Sequence, residues 1–241
     1  MIAPAPLAKI ADLLEPLRPR GGPFIIGVTG SVAVGKSTFA AALAQHYAAS
    51  GERTELVATD GFLHSNAALT QLGLLSQKGV PATYDHAALA AALASIRSGP
   101  TIFPAYSHVT YDIDPALARR LEPPAVLIIE GLTLRHPDTG PAALLDALIY
   151  IEADEADLER WYVDRFMQLW EAAEHDPASF YARFRQMSRE ETQTLARMVW
   201  RNVNLKTLHD HIVHARPLAD LVVAKAGDHA IAAIAAASER P

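Results

Sequence analysis

Short, nearly continuous apolar runs separated by longer amphipathic stretches dominate the hydrophobic pattern of this chain. The apolar runs lie at residues 24–28, 56–59, 125–129, 147–151 and 221–224. Each run has the length of a strand and little polar alternation, which is typical of parallel strands covered on both faces. We therefore predict a parallel sheet that is buried between helices.

The stretches between these runs have helical periodicity. We predict helices at residues 7–18, 36–49, 85–98, 155–174 and 177–211, and a closing helix at residues 229–238. Strands that alternate with helices predict an α/β fold, in which ligands bind at the carboxyl ends of the strands.

Composition narrows the class of protein. Half of the 241 residues are hydrophobic, and the formal net charge of -6 argues against a nucleic-acid or anionic-membrane surface. The absence of cysteine excludes disulfides, thiolate zinc sites and thiol nucleophiles. The apolar runs are far shorter than a membrane span, and the first residues lack the pattern of a secretory signal. We expect a cytoplasmic protein with a small-molecule substrate and no nucleic-acid or membrane partner.

One motif carries most of the chemical information. The sequence Gly30-Ser31-Val32-Ala33-Val34-Gly35-Lys36-Ser37 matches G-x-x-x-x-G-K-[ST] in full, between a predicted strand and a predicted helix. Glycines allow backbone N–H groups to surround phosphates, and the following helix directs its positive end at them. In this reading Lys36 contacts the β- and γ-phosphates, Ser37 ligates Mg²⁺, and Thr38 completes the nucleotide site, so ATP and Mg²⁺ are the expected cofactors.

The phosphate loop predicts a three-layer α/β/α P-loop NTPase fold. P-loop proteins include switches, motors, transporter subunits and kinases, but the chain has no Asn-Lys-x-Asp or Leu-Ser-Gly-Gly-Gln element. It is also short for a motor, so a small-molecule kinase is favoured. We treat residues 1–241 as a single P-loop kinase domain, with a helical lead at 1–22 and an appended helical substrate-side region at 155–211.

A kinase of this class needs a carboxylate near the γ-phosphate to accept the proton of the substrate hydroxyl. Asp60, at the end of the second predicted strand, is the candidate, although an aspartate that caps the following turn has the same pattern. Glu130, at the end of the third predicted strand, is a candidate ligand of Mg²⁺. A strand-end carboxylate without a metal explains Glu130 about as well.

Several motifs, in order, resemble those of type I pantothenate kinase, within the phosphoribulokinase/uridine kinase-like P-loop kinases. Besides the phosphate loop, they lie at residues 59–66, 78–85, 104–108 with 111–112, 161–166 and 200–204. The resemblance covers roughly residues 24–232. It implies transfer of the γ-phosphoryl group of ATP to the primary hydroxyl of pantothenate, the first step of coenzyme A synthesis, and it implies a homodimer.

The resemblance also implies roles for individual residues. Asp60 would activate the acceptor hydroxyl, and Arg165 would contact the transferred phosphoryl group together with Lys36. The side chains around pantothenate would be Tyr106, His108, Tyr162 and Asn204, and His229 would lie near the adenine. Read without the resemblance, Tyr162 also fits core packing, and Arg165 fits a surface partner of Asp164.

The chain departs from the family pattern in several places. The family has a longer helical segment than the 23 residues before Phe24, so we expect a partly rebuilt adenine pocket. Phe39 follows the phosphate loop where the family tends to have a basic residue that meets coenzyme A. Leu169 and Glu174 stand where the family favours aromatic residues of the acceptor pocket.

These departures keep two alternatives open. The first is a kinase of a nucleoside or sugar alcohol, like uridine kinase or phosphoribulokinase. The second, of another class, is a nucleotide-binding regulator that keeps the phosphate loop without productive catalysis.

Overall fold

A computed structural model of the protein describes residues 2–134 and 144–237. Its helices are α1 (Pro4–Leu14), α2 (Lys36–Ala49), α3 (Asn66–Gln71), α4 (His86–Ser95), α5 (Glu155–Ala172), α6 (Arg189–Val199) and α7 (Leu205–Asp210). Its strands are β1 (Phe24–Gly30), β2 (Thr54–Ala58), β3 (Thr101–Phe103), β4 (Tyr106–Ser107), β5 (Asp112–Ile113), β6 (Arg119–Leu121), β7 (Val126–Glu130), β8 (Ala147–Glu152), β9 (Leu221–Lys225) and β10 (Ile231–Ala236). None of the helices in these ranges combines the length and the apolar character needed to span a bilayer.

The main sheet has the strand order β10-β9-β8-β1-β7-β2. Its strands are parallel except β10, which runs antiparallel to β9. Every residue of the central strand β1 is buried, which is the reason for its continuous apolar sequence. The predicted α/β fold with a mainly parallel sheet is confirmed.

Helix α2 covers the sheet directly after the phosphate loop. Its buried residues Phe39, Ala40, Leu43 and Tyr47 belong to the same hydrophobic core as β1. Burial of one large apolar side chain stabilises a fold by about 1.5–3 kcal/mol, so this face anchors the helix that follows the phosphate loop.

The register of the parallel strands gathers three chain segments at one edge of the sheet. Ala58 at the end of β2 pairs with Glu130 at the end of β7, and Glu130 also pairs with Val28 of β1. The phosphate loop, Asp60 and Glu130 therefore follow neighbouring strand ends.

The predicted closing helix at residues 229–238 is wrong over its described part, because residues 231–236 form β10; residue 238 lies outside the described residues. A β-bulge between Ile231 and Ala233 shifts the register of this strand. Both Ile231 and Ile234 pack against the core. The bulge lets these two isoleucines, which are three residues apart as on one face of a helix, pack against the core from a strand.

The predicted helix at 177–211 is divided into shorter elements. A 3₁₀ helix at Phe180–Phe184 precedes α6, and a π-helical turn at Trp200–Asn204 joins α6 to α7. Two small antiparallel pairs, β3 with β6 and β4 with β5, were not predicted. The second of these pairs is a hairpin that carries Tyr106.

Candidate active site

The phosphate loop has the backbone geometry that its glycines permit. Gly30 has φ 144° and Gly35 has φ 84°, in the region that favours glycine. A Cβ on Gly30 would lie 2.2 Å from the carbonyl oxygen of Ile151, so no other residue fits there. The Lys36 Nζ donates to the Ser31 carbonyl at 2.9 Å, which places the ammonium across the loop.

A second lysine supports the loop from a distant strand. Lys225, at the end of β9, is only 7% exposed, and its Nζ donates to the carbonyl of Val34 at 2.9 Å. Burial lowers the pKa of Lys225, and the charge of Lys36 lowers it further. Sequence reasoning missed this residue, since its only signal is a lysine at the end of an apolar strand.

Ser37 and Glu130, the two predicted Mg²⁺ ligands, are in direct contact. The Ser37 hydroxyl donates to Glu130 Oε1 at 2.7 Å. Hard oxygen donors of this kind suit Mg²⁺. Within residues 2–134 and 144–237, no group of three or more His, Cys, Asp or Glu side chains is arranged to hold a metal ion. An ion at this pair would therefore take the rest of its ligands from a nucleotide and water.

Asp60 lies on the 3₁₀ turn Thr59–Phe62 that follows β2, and its side chain is partly exposed. Its carboxylate does not cap this turn, which has no side-chain cap. Instead, Oδ1 accepts a hydrogen bond of 3.3 Å from the Tyr84 hydroxyl. A Cβ on Gly61 would lie 2.1 Å from the Pro104 carbonyl oxygen, so this glycine lets the acceptor-side chain approach Asp60 closely.

Lys36 is the electrostatic centre of the site. Burial lowers the pKa of its ammonium group. The negative charges of Glu130 and Asp60 oppose this fall, and the positive charge of Arg165 adds to it. The structure thus brings the predicted base, the predicted metal ligand and both predicted cations into electrostatic contact.

Arg165 projects from α5 and is exposed. The adjacent Asp164 does not face it, because neighbouring residues of a helix point in different directions. Its charge lowers the pKa of Tyr111, Tyr162 and Tyr181 against the rise caused by burial. Arg165 therefore lies between the phosphate loop and a group of aromatic residues.

The hairpin of β4 and β5 forms one wall of this aromatic region. The Tyr106 ring lies 5.1 Å from His108, which is exposed, and 5.9 Å from Tyr111. Tyr111 has φ 59° and stacks on Phe180 with ring centroids 4.2 Å apart. The Phe180 N–H donates to the Val109 carbonyl, so the hairpin is fastened to the chain that follows α5.

Tyr162 and Asn204 form the opposite wall. The Tyr162 ring is partly buried, 5.6 Å from Trp200. The nearby Asn204 amide opposes the rise in the pKa of Tyr162 that burial causes. Asn204 Nδ2 is buried and donates no hydrogen bond to any of the described residues. The π-helical turn that ends at Asn204 is a feature found frequently at functional sites.

Lys78 is a further cation that sequence reasoning left without a role. Its Nζ donates to Asn66 Oδ1 and to the Tyr111 carbonyl, both at 2.7 Å. The same ammonium lies 4.7 Å from the centroid of the Tyr106 ring. The sequence signal that could have indicated a role for Lys78 is its position at the start of the motif at residues 78–85.

His229 lies apart from the acceptor-side residues, in the turn between β9 and β10. Its exposed ring stacks on Trp161 at 4.0 Å. Burial lowers the pKa of His229, and the charges of Lys225 and Arg160 lower it further. This position, close to Lys225, is on the phosphate-loop side of the site. Thr38 is exposed in the first turn of α2.

The chain is similar to known proteins over most of its length. Residues 25–161 match the Phosphoribulokinase / Uridine kinase family. A pantothenate kinase of Brucella ovis is 41% identical over 226 residues, which cover 88% of this chain and 70% of the relative.

Two solved structures have the same fold. A kinase assigned to a fructose transport system of Silicibacter sp. is 29% identical, with a TM-score of 0.62 over 76% of this chain and 89% of that protein. A D-glycerate 3-kinase of Cryptococcus neoformans is 14% identical, with a TM-score of 0.65 over 96% of this chain and 99% of that one, which supports the fold alone. The chain therefore belongs to the Phosphoribulokinase / Uridine kinase family, and within it to the pantothenate kinases.

Proposed function

We propose that this protein transfers the γ-phosphoryl group of ATP to the primary hydroxyl of pantothenate and so forms 4′-phosphopantothenate. The observation that carries the proposal is the 41% identity to a pantothenate kinase over 88% of the chain. The geometry supports it, because a carboxylate, two cations and a half-buried aromatic region meet beside one phosphate loop.

The residues of the loop fit a nucleotide and a metal ion. The Ser31 hydroxyl is buried without a hydrogen-bond partner in the described structure, as expected of a loop that is completed by phosphate. Ser37 and Glu130 would hold Mg²⁺ through their 2.7 Å oxygen pair. Mg²⁺ bound there would neutralise phosphate oxygens and orient the γ-phosphoryl group.

The chain supplies both the base and the cations for phosphoryl transfer. Asp60 accepts the proton of the acceptor hydroxyl, and Lys36 and Arg165 stabilise the negative charge that develops on the transferred group. Since Arg165 belongs to the same chain, no partner protein has to supply an arginine. Thr38 contributes to the nucleotide site, and His229 lies where it can contact the base of the nucleotide.

The acceptor lies between the hairpin and the π-helical turn. Tyr106 and Tyr162 have polar hydroxyls on apolar rings, and the buried Nδ2 of Asn204, which has no hydrogen-bond partner among the described residues, would donate to an acceptor carbonyl or carboxylate. His108 lies at the exposed mouth of this region. An alcohol with further hydrogen-bonding groups and an apolar middle section suits these walls. The expected homodimer and cytoplasmic location stay predictions.

A sugar acceptor is the second candidate. It is supported by the 29% identity to the kinase assigned to a fructose transport system. Pantothenate is favoured over it because the identity to the Brucella pantothenate kinase is higher and extends over more of this chain.

An acceptor panel tests the proposal. ADP release is followed with pantothenate, uridine, ribulose 5-phosphate, fructose and no acceptor. We expect pantothenate to give the highest kcat/KM, and Asp60→Asn to lower kcat by about 10²- to 10⁴-fold, the usual contribution of a positioned base. If another acceptor gave a higher kcat/KM, that compound would replace pantothenate as the proposed substrate. ATP binding without any phosphorylated product would indicate a nucleotide-binding regulator instead.

A further inference from the structure

The segment at residues 78–85 is one of the motifs found in the sequence, but its second half has no role in the proposed phosphoryl transfer. This half runs antiparallel to the chain that follows Asp60. A β-bridge joins Leu63 to Tyr84, and two backbone hydrogen bonds of 2.8 and 2.9 Å flank it. The backbone of Tyr84 is therefore fixed relative to the turn that carries Asp60.

The side chain of Tyr84 continues this connection. The residue is only 4% exposed, and its hydroxyl donates to Asp60 Oδ1 at 3.3 Å. Burial raises the pKa of Tyr84, and the negative charge of Asp60 raises it further. The hydroxyl therefore keeps its proton at neutral pH and acts as a donor to the carboxylate.

We propose that Tyr84 is a positioning residue for Asp60: its hydroxyl holds one carboxylate oxygen so that the other faces the acceptor alcohol. This inference rests on the proposed function, because it assumes that Asp60 is the base. A carboxylate on a turn can rotate about its terminal bond, whereas proton transfer requires a defined orientation. The bond from Tyr84 to Oδ1 restricts that rotation and leaves the other carboxylate oxygen for the acceptor.

The length of the contact sets the size of the expected effect. At 3.3 Å it is longer than a strong bond between a hydroxyl and a carboxylate. We therefore expect Tyr84→Phe to lower kcat by about 5- to 20-fold, less than the loss of the base itself. The KM for ATP should stay within about twofold, because the hydrogen bond that Tyr84→Phe removes goes to Asp60 and not to the phosphate loop.

Tyr47→Phe is the matched control. Tyr47 is 3% exposed, and its buried hydroxyl has no hydrogen-bond partner in the described residues. It lies in the last turn of α2, at the end of the helix away from the phosphate loop. Both changes remove one buried hydroxyl and keep a ring of nearly the same volume. Tyr47→Phe should leave kcat unchanged.

A double variant separates positioning from a general structural role. If Tyr84 acts through Asp60, adding Tyr84→Phe to Asp60→Asn should cause no further loss of kcat. Two losses that multiply would overturn the proposal, as would a normal kcat in Tyr84→Phe. Failure of Tyr84→Phe to fold, monitored by its circular-dichroism melt, would also overturn it in favour of a structural role.

The activity of the wild-type protein distinguishes failure of this inference from failure of the proposed function. All variants are measured with the acceptor that the wild-type protein phosphorylates best in the panel. A wild-type chain without turnover on any acceptor would refute the proposed function and, with it, this inference. An active wild-type chain beside an equally active Tyr84→Phe variant would refute only the inference.

Discussion

The Ser37 hydroxyl and the Glu130 carboxylate are 2.7 Å apart, although 93 residues separate them in sequence. This contact joins the first turn of α2 to the carboxyl end of β7. Two oxygen atoms are thereby held close together, one on the helix that follows the phosphate loop and one on the strand next to β1. The fold therefore fixes the two protein oxygens of the proposed Mg²⁺ site relative to each other.

Glu130→Gln should weaken Mg²⁺ binding, because it removes the charge of the ion's proposed protein ligand. We expect the Mg²⁺ concentration for half-maximal activity to rise about 10- to 100-fold. Titration of activity with Mg²⁺ at saturating ATP measures it. Glu122→Gln, which changes an exposed surface carboxylate paired with Arg120, is the control. An unchanged Mg²⁺ requirement in Glu130→Gln would remove this residue from the metal site.

Arg165→Ala should lower kcat strongly, because the charge on the transferred phosphoryl group would lose a partner. An arginine in this role contributes about 10³-fold or more. Steady-state kinetics with ATP and pantothenate measure the loss. The control is Asp164→Asn, which changes the neighbouring exposed residue and should have little effect. Similar losses in both variants would favour a surface role for Arg165.

Lys78→Met should impair binding of the acceptor more than binding of ATP. The change removes two hydrogen bonds of 2.7 Å that fasten the hairpin to α3, while the apolar stem of the side chain is kept. Hydrogen bonds to a charged group contribute about 1.5–3 kcal/mol each. We therefore expect the acceptor KM to rise about tenfold. Lys206→Met, at an exposed position of α7, is the control. An equal rise in the KM for ATP would contradict this assignment.

Lys225→Met should impair binding of ATP more than binding of the acceptor. It leaves the Val34 carbonyl of the phosphate loop without its buried donor, at a cost of about 1–3 kcal/mol. We expect the KM for ATP to rise about tenfold, with little change in the acceptor KM. Binding of a fluorescent ATP analogue measures the effect independently of turnover, again with Lys206→Met as the control. Normal affinity for the analogue would show that the loop keeps its shape without Lys225.

Much of the site followed from sequence because its residues stand at strand ends. Burial on both faces requires continuous apolar runs, and these runs predicted β1, β2 and β7 within a few residues. Parallel strands end at the same edge of the sheet, so Lys36, Asp60 and Glu130 were expected to lie near one another. The electrostatic contacts of Lys36 agree with that expectation.

The contacts that hold those residues in place did not follow from sequence. Tyr84 reaches Asp60, and Lys225 reaches Val34, through tertiary packing that no spacing rule encodes. The strand β10 was mistaken for a helix for a related reason. Its isoleucines have a helical spacing that only a bulge in the pairing with β9 makes compatible with a strand, and its many alanines have high helix propensity.

The hydrogen bond between Lys225 and Val34 joins residues that are 191 positions apart in sequence. This separation affects the stage of synthesis at which the chain can bind nucleotide tightly. The phosphate loop leaves the ribosome early, but Lys225, which supports the loop through Val34, is synthesised only after nearly all of the sheet. Nascent chains stalled before residue 221 should therefore bind nucleotide more weakly than those stalled after β10. Cellular ATP would then stabilise completed molecules selectively, and partly synthesised ones would gain little from it.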